Sequence, residues 1–244
     1  HRVNEAAMVL FQELLHSASG TGAREYLEGR GLGKEAMERF QLGLSPRGGE
    51  DLLKRLAAGG FSSQQAVAAG LATRREDGPA RDMFRGRLMI PIRDDRGRLA
   101  GFDGRSLDNA EPKYLNSPRT PVFDKSRILY AFYQAKEGIR QKREGVVVEG
   151  YMDAITAHQH GFENVVATMG TAVTEAQVRL LLAVGQRFVL ALDPDTAGQA
   201  ATFRSLQSSW QRFQHRIAAV RRGVTFYERP FEVTLSVAVL PAGQ

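Results

Sequence analysis

Residues 189–201, VLALDPDTAGQAA, run as an apolar strand into two aspartates, Asp193 and Asp195, separated only by Pro194. Two like charges about 5 Å apart repel by roughly 3 kcal/mol at an effective dielectric near 20. A divalent cation offsets that repulsion, and carboxylate oxygens suit one. The competing reading is a solvated turn in which Asp-Pro-Asp opens a helix, with Asp195 or Thr196 as its cap. A second strand, Val146-Val147-Val148, ends in Glu149 and is followed at once by Gly150. Ligands of open parallel sheets bind beyond the carboxyl ends of the strands. The pattern therefore predicts three carboxylates at one sheet edge. Gly150 and Gly198 let the backbone approach a ligand closely, and Gly170-Thr171 adds another small-residue turn there.

Basic chemistry lies elsewhere in the chain. The formal net charge is +6 over 244 residues. Residues 74–143 hold 17 Lys/Arg against 10 Asp/Glu, and the remainder holds 16 against 17. All of the net positive charge thus falls in the middle of the chain, as a surface facing a polyanion would require. The alternative is a basic face that is merely solvated.

The elements that must position these groups follow from periodicity. Val3, Ala7, Leu10 and Leu14 form one stripe, with Met8, Phe11 and Leu15 beside it, which predicts a helix over 3–16. Short helices are expected over 23–30, 34–40, 52–58 and 64–69, punctuated by Gly31, Gly43 and Gly59-Gly60, with Ser62-Ser63 as a cap. The first 73 residues thus read as a small helical unit without visible chemistry. Residues 87–93 and 98–106 read as two strands joined at Asp94-Asp95-Arg96-Gly97. The stretch 111–126, EPKYLNSPRTPVFDKS, carries three prolines and is expected to be an ordered loop presenting Lys113 and Lys125. From Gly145 strands and helices alternate: 145–149, 152–160, 164–168, 174–184, 187–193, 197–210, with a last strand at 232–241. Alternation of this kind predicts parallel βαβ units with helices on both faces of the sheet.

VVVEGYMDAI followed by ALDPDTAGQAA resembles the Toprim signature, an acid plus Gly on one strand and Asp-x-Asp on another. More narrowly, EGYMDA, ATMGTA, GFDGR and PKYLNSP resemble bacterial replicative DNA primases of the DnaG type, and the resemblance runs from Val3 to Gln244. It implies an α/β fold: a Toprim-like parallel sheet over 144–244, preceded by a helical and mixed α+β basic subdomain over 1–143. It implies a DNA-directed RNA polymerase that makes short primers from ribonucleoside triphosphates on single-stranded DNA. Carried over residue by residue, Glu149, Asp193 and Asp195 would be catalytic and would hold Mg²⁺ or Mn²⁺. Arg87, Arg105, Lys113 and Lys125 match basic residues near template and nucleotide phosphates. Arg85 is a weaker match that would lie on the strand face of Arg87. Tyr114 and Asn116 would support the loop, and Asp153 would be structural, bonding the turn after Glu149.

The resemblance places a zinc-binding domain and a helicase-binding domain outside this chain, so no zinc and no direct helicase contact is expected within it. It also implies replication at the nucleoid, in the cytoplasm. Three departures stand out. Asp103 replaces the second glycine of GFGGR, Arg119 replaces Glu in PKYLNSPET, and the family's further Asp-Pro-Asp after the last strand would fall beyond Gln244. The stretch 216–232 is also longer than the usual link into that strand.

Composition excludes several classes. Cys is absent, which removes disulfide frameworks and cysteine-ligated zinc and fits a cytosolic protein. The longest apolar runs are too short to span a bilayer, and no membrane partner is expected. Two alternatives stay open: a Toprim nuclease or topoisomerase, in which Tyr151 would be the candidate nucleophile, and a nucleic-acid-binding module with an incomplete metal site.

Overall fold

A computed structural model describes residues 1–76, 78–108, 110–170, 173–191, 217–221, 224–227 and 234–238. The chain packs into two units, one formed by His1–Lys125 with Ile155–Gly161, the other by Ser126–Ala154 with Phe162–Gln244.

In the first unit, α1 (Arg2–His16), α2 (Thr21–Gly29), α3 (Lys34–Arg39), α4 (Asp51–Ala58) and α5 (Ser63–Ala68) accompany an antiparallel sheet. That sheet has the order β1-β4-β5-β6, with β1 at Gly43–Leu44, β4 at Arg87–Arg93, β5 at Leu99–Ser106 and β6 at Tyr114–Asn116. The short strands β2 (Ala72–Thr73) and β3 (Arg81–Asp82) pair separately. The apolar stripe of α1 buries Ala7, Met8, Phe11 and Leu15. Phe11 meets Phe102 of β5 edge-on at 5.3 Å. Gly43 lies so close to Phe11 that a Cβ there would fall 2.5 Å from the Phe11 Cβ, so only glycine fits. Asn4 donates to the carbonyls of Leu99 and Ala100, at 3.3 and 2.8 Å, and fixes the helix to the start of β5.

The expected hairpin is present: Gly97 takes φ +82°, and its N–H donates to Asp94 O at 3.0 Å. Ser62 and Gln65 cap α5 reciprocally, as Ser-x-x-Gln allows. The cap of α4 is not local. Asp82, from β3, accepts the N–H groups of Leu52 and Leu53 at 2.9 and 3.0 Å. Burial raises its carboxyl above the usual range, against the pull of those bonds. The first 73 residues are thus less purely helical than expected, since β1 and β2 are too short to register as patterns. The proline-rich loop is also interrupted, because β6 pairs Asn116, Leu115 and Tyr114 with Asp103, Gly104 and Arg105.

In the second unit, β7 (Glu144–Val148), β8 (Val165–Ala167), β9 (Arg187–Ala191) and β12 (Thr234–Ala238) form a parallel sheet of order β12-β9-β7-β8. Helices α6 (Phe132–Lys142), α7 (Tyr151–Gln159) and α8 (Glu175–Leu182) alternate with its strands. Its core joins Phe132, Ala135 and Ile139 of α6 to Val147, Val166, Phe188 and Leu190 of the strands and to Val178 and Leu181 of α8. Gly145 admits the Phe188 ring, which a Cβ would approach at 2.9 Å. Thr174 and Gln177 form a capping box on α8, and the buried Gln177 also donates to Ile128 O at 2.8 Å. The long stretch before β12 contains an antiparallel pair, β10 (Ile217–Arg221) and β11 (Val224–Tyr227).

Helix α7 divides between the units. Its C-terminal half packs in the first, where Gln159 accepts from Gly33 N and donates to Gly31 O, both at 2.7 Å.

Candidate functional site

Of the expected phosphate-facing residues in the first unit, Arg87 lies on β4, Arg105 on β5 and Lys113 and Lys125 in the segment that follows, whereas Arg85 precedes β4. Antiparallel register puts Arg105 opposite both Leu88 and Tyr114, and Asp103 opposite Ile90 and Asn116. The two charged residues are two apart on one strand, so they share a sheet face. Arg105 is buried. Its guanidinium lies 5.0 Å from the ring centres of both Tyr26 and Tyr114 and donates to the Tyr114 hydroxyl. Such stacking suits a planar cation. Burial pushes the Tyr114 phenol up, with Arg105 opposing.

Arg87 is also buried. Its Nη1 donates to Gly104 O at 3.0 Å and to Pro112 O at 2.8 Å, which ties the entry of the loop to the sheet. Arg85 does not share a strand face with it. Strand β4 begins at Arg87, and Gly86, at φ +62°, turns the chain between them. The exposed Arg85 instead borders an open cavity of about 520 Å³ with Arg75 and Arg81. Lys113 is exposed, while its carbonyl accepts from Ser106 N at 2.8 Å and anchors the backbone beneath it. Lys125 is half-buried and opens a short 3-10 turn, Lys125–Arg127. Desolvation lowers its ammonium pKa, and Asp103 opposes that shift.

Asp103 is 0% exposed. Burial pushes its carboxyl up to about 7, against the attraction of Lys125, Arg87 and Arg105. The basic set thus divides by role in the structure. Arg87 and Arg105 are held by protein groups, Arg85 and Lys113 are exposed, and Lys125 is half-buried and attracted by Asp103.

In the second unit Glu149 directly follows β7 and is half-buried. Thr168 N–H donates to Val148 O at 3.1 Å, and Gly170 N–H to Glu149 O at 3.3 Å. Met169 and Gly170 bend this crossing with φ +64° and +71°. Asp153 accepts from Gly150 N at 3.1 Å, the turn-bonding role expected of it. A Cβ at Gly150 would sit 2.6 Å from that carboxylate oxygen. Strand β9 runs parallel beside β7, with Val147 level with Leu190, so both chains leave at the same end. Asp193, Asp195 and Gly198 lie outside the described residues. Among the described residues no three acidic or His donors converge on a metal position. Tyr151 is 5% exposed, with its ring edge-on to Tyr130 at 4.9 Å. A phenol packed this way is poorly placed to attack a DNA phosphate.

Sequence reasoning missed Tyr26, the second wall around Arg105. Nothing local marks it, because it comes from a helix far from GFDGR in sequence. It also missed Arg75 and Arg81, which are close to Arg85 in sequence but belong to none of the motifs singled out.

Comparison with known proteins bears on both units. Residues 10–136 match the family of the DNA primase catalytic core, N-terminal domain, and residues 143–221 match the Toprim domain. The DNA primase of Deinococcus radiodurans is 45% identical over 226 residues, which cover 91% of this chain and 39% of that protein. The DNA primase of Halalkalibacterium halodurans is 40% identical over 221 residues, 90% of this chain and 37% of that protein. Among solved structures, the Escherichia coli primase catalytic core superposes with a TM-score of 0.85 at 34% identity, covering 100% of this chain and 72% of that one. A DnaG primase catalytic domain bound to single-stranded DNA gives 0.84 at 34% identity, covering 100% and 73%. The chain spans less than two fifths of the length of these curated relatives. No helix among the described residues is long and apolar enough to cross a membrane. With an N-terminal catalytic-core match over more than half its length and a Toprim match after it, the chain belongs to the DnaG-type DNA primase family.

Proposed function

We propose that this chain is the nucleotidyl-transfer core of a DNA-directed RNA polymerase that lays short RNA primers on single-stranded DNA. The observation that carries this reading is the pairing of β7 with β9. Glu149 leaves β7 at the end where β9 runs on towards Asp193 and Asp195. Residues 1–143 would serve as the template and nucleotide side and 144–244 as the Toprim side.

A primer 3′-hydroxyl, or that of the first nucleotide, attacks the α-phosphate of an incoming ribonucleoside triphosphate, and pyrophosphate leaves. Such a step rests on positioning and charge neutralisation rather than on covalent catalysis. The donor chemistry fits a hard divalent cation: three carboxylates, no thiol, and Glu149 half-buried at a strand end. Glu149, Asp193 and Asp195 would hold Mg²⁺ or Mn²⁺, which lowers the charge on the attacking and leaving oxygens. Glu149 would orient the attacking hydroxyl and accept its proton. Lys113, Lys125 and Arg85 present charge to phosphate. Arg87 and Arg105 act one step back, by fixing the loop and the strand that carry Lys113 and Lys125. Partners are then a single-stranded template and nucleoside triphosphates, with a replicative helicase reached through a domain outside these residues.

Incorporation of labelled ribonucleotide on single-stranded DNA by the full-length polypeptide tests the reading. A nuclease would shorten the template instead, and a binding module would leave both unchanged. The companion variant Asp193→Asn plus Asp195→Asn should abolish Mn²⁺ binding in a calorimetric titration while the fold is kept. Unchanged Mn²⁺ affinity refutes the carboxylate assignment.

A further inference from the structure

Asp103 is a buried acid that the proposed chemistry does not use. It is fully buried on β5, and neither carboxylate oxygen has a hydrogen-bond partner. A buried carboxylate left without hydrogen bonds is costly unless charge compensates it. Three cations act on it: Lys125 most strongly, then Arg87 and Arg105. Arg87 donates to the carbonyls of Gly104 and Pro112, and Arg105 donates to Tyr114 and lies between two rings, while its Nε has no hydrogen-bond partner. Lys125, half-buried at the start of a short turn, carries its ammonium on four flexible methylenes, which lets it face inward or outward. Facing Asp103 in register are Ile90 of β4 and Asn116 of β6, with Tyr114 as the other titratable group on β6.

We propose that Asp103 is the positioning residue for Lys125: when ionised it draws the ammonium inward over β5, so that phosphate must displace a counter-charge supplied by the protein itself. The inference rests on the reading of Lys125 as a phosphate contact. The carboxyl titrates near neutrality because burial outweighs the attraction of the cations. The grip on phosphate should therefore loosen as the pH rises through that range.

The test uses a labelled oligothymidylate and fluorescence anisotropy on the full-length polypeptide, at constant ionic strength between about pH 6 and 8.5. Wild type should weaken about fivefold more than Asp103→Asn across that range, a modest change because the site is part-exposed. The variant retains every histidine, so the difference between the two profiles isolates this carboxyl. Asp103→Gly should behave as Asp103→Asn does, and serves if the amide folds badly. Lys125→Ala in either background should erase the difference, and a ligand-free double-mutant cycle in stability should show Asp103 and Lys125 coupled. Parallel profiles with no coupling, while Lys125→Ala still weakens binding, overturn the Asp103 inference alone. Wild-type binding by Lys125→Ala at every pH overturns the phosphate role of Lys125 and the inference with it.

Discussion

Replacing Asp103 by Asn should change how the stability of the first unit depends on pH, and the structure sets both sign and size. An Asp carboxyl ordinarily titrates at 3.8, and burial pushes this one to about 7 in the folded chain. Between those values the unfolded chain has lost the proton while the folded chain keeps it. The folded state then binds more protons, so stability falls as pH rises through the window and levels off above about 7. Each tenfold gain in proton affinity is worth about 1.4 kcal/mol, which makes the full cost of ionising Asp103 on the order of 4 kcal/mol. About 3 kcal/mol of that accrues between pH 5 and 8. Asn has the same shape and cannot ionise. Its advantage over wild type should therefore grow by about 3 kcal/mol from pH 5 to 8, and most of it should vanish near pH 4. Hydrogen exchange at the β4 and β5 amides, corrected for intrinsic pH dependence, reads this unit by itself, which matters in a chain that packs as two. Stability curves of variant and wild type that stay parallel from pH 5 to 8 would refute the argument, because they would mean that Asp103 titrates as an ordinary exposed acid.

Two further outcomes separate bracing cations from presenting ones. Arg105→Lys should lose about 2 kcal/mol of stability, since an ammonium cannot stack between Tyr26 and Tyr114 or reproduce the planar donor geometry at the Tyr114 hydroxyl; thermal unfolding checks it, and an unchanged Tm would mean the guanidinium is not held there. Lys113→Ala should cut primer synthesis by about ten- to a hundredfold, the worth of one charge-assisted phosphate contact. Its Tm should hardly move, because the side chain is exposed, and full activity at matched folding would leave the loop as scaffold.

Period and punctuation made most of the architecture legible. The α1 stripe, the Asp94–Gly97 turn, and the alternation of strands with helices from Gly145 to Ala191 appear where the pattern puts them, while the helix expected over 197–210 lies outside the described residues. What escaped has physical reasons. β6 is three residues long and flanked by Pro112 and Pro118, so its pairing depends on the neighbouring strand and not on its own sequence. The cap of α4 comes from Asp82, and nothing local to Gly49-Glu50-Asp51 points to an acid some thirty residues on. Arg85 resembles Arg87 by alternation alone, and the turn at Gly86 breaks that relation.

The candidate site was legible as a set of residue types and much less so as a set of roles. Burial is decided by three-dimensional packing, so every arginine in the basic middle counts equally in a charge sum. In the folded chain Arg87 spends its donors on Gly104 and Pro112, and Arg105 is enclosed by two tyrosines. Neither adds its full charge to the field outside, so the surplus of residues 74–143 overstates what a polyanion meets. The lysines gain from the same arrangement. Ordering a proline-bearing loop costs backbone entropy, and here that cost is offset by Arg87 at its entry and by β6 pairing along its first half. A lysine on a braced backbone keeps a mobile side chain over a fixed origin, which suits a point charge that must follow a phosphate. Asp103 completes this logic: by attracting Lys125, a buried acid adjusts the charge on offer without touching the ligand.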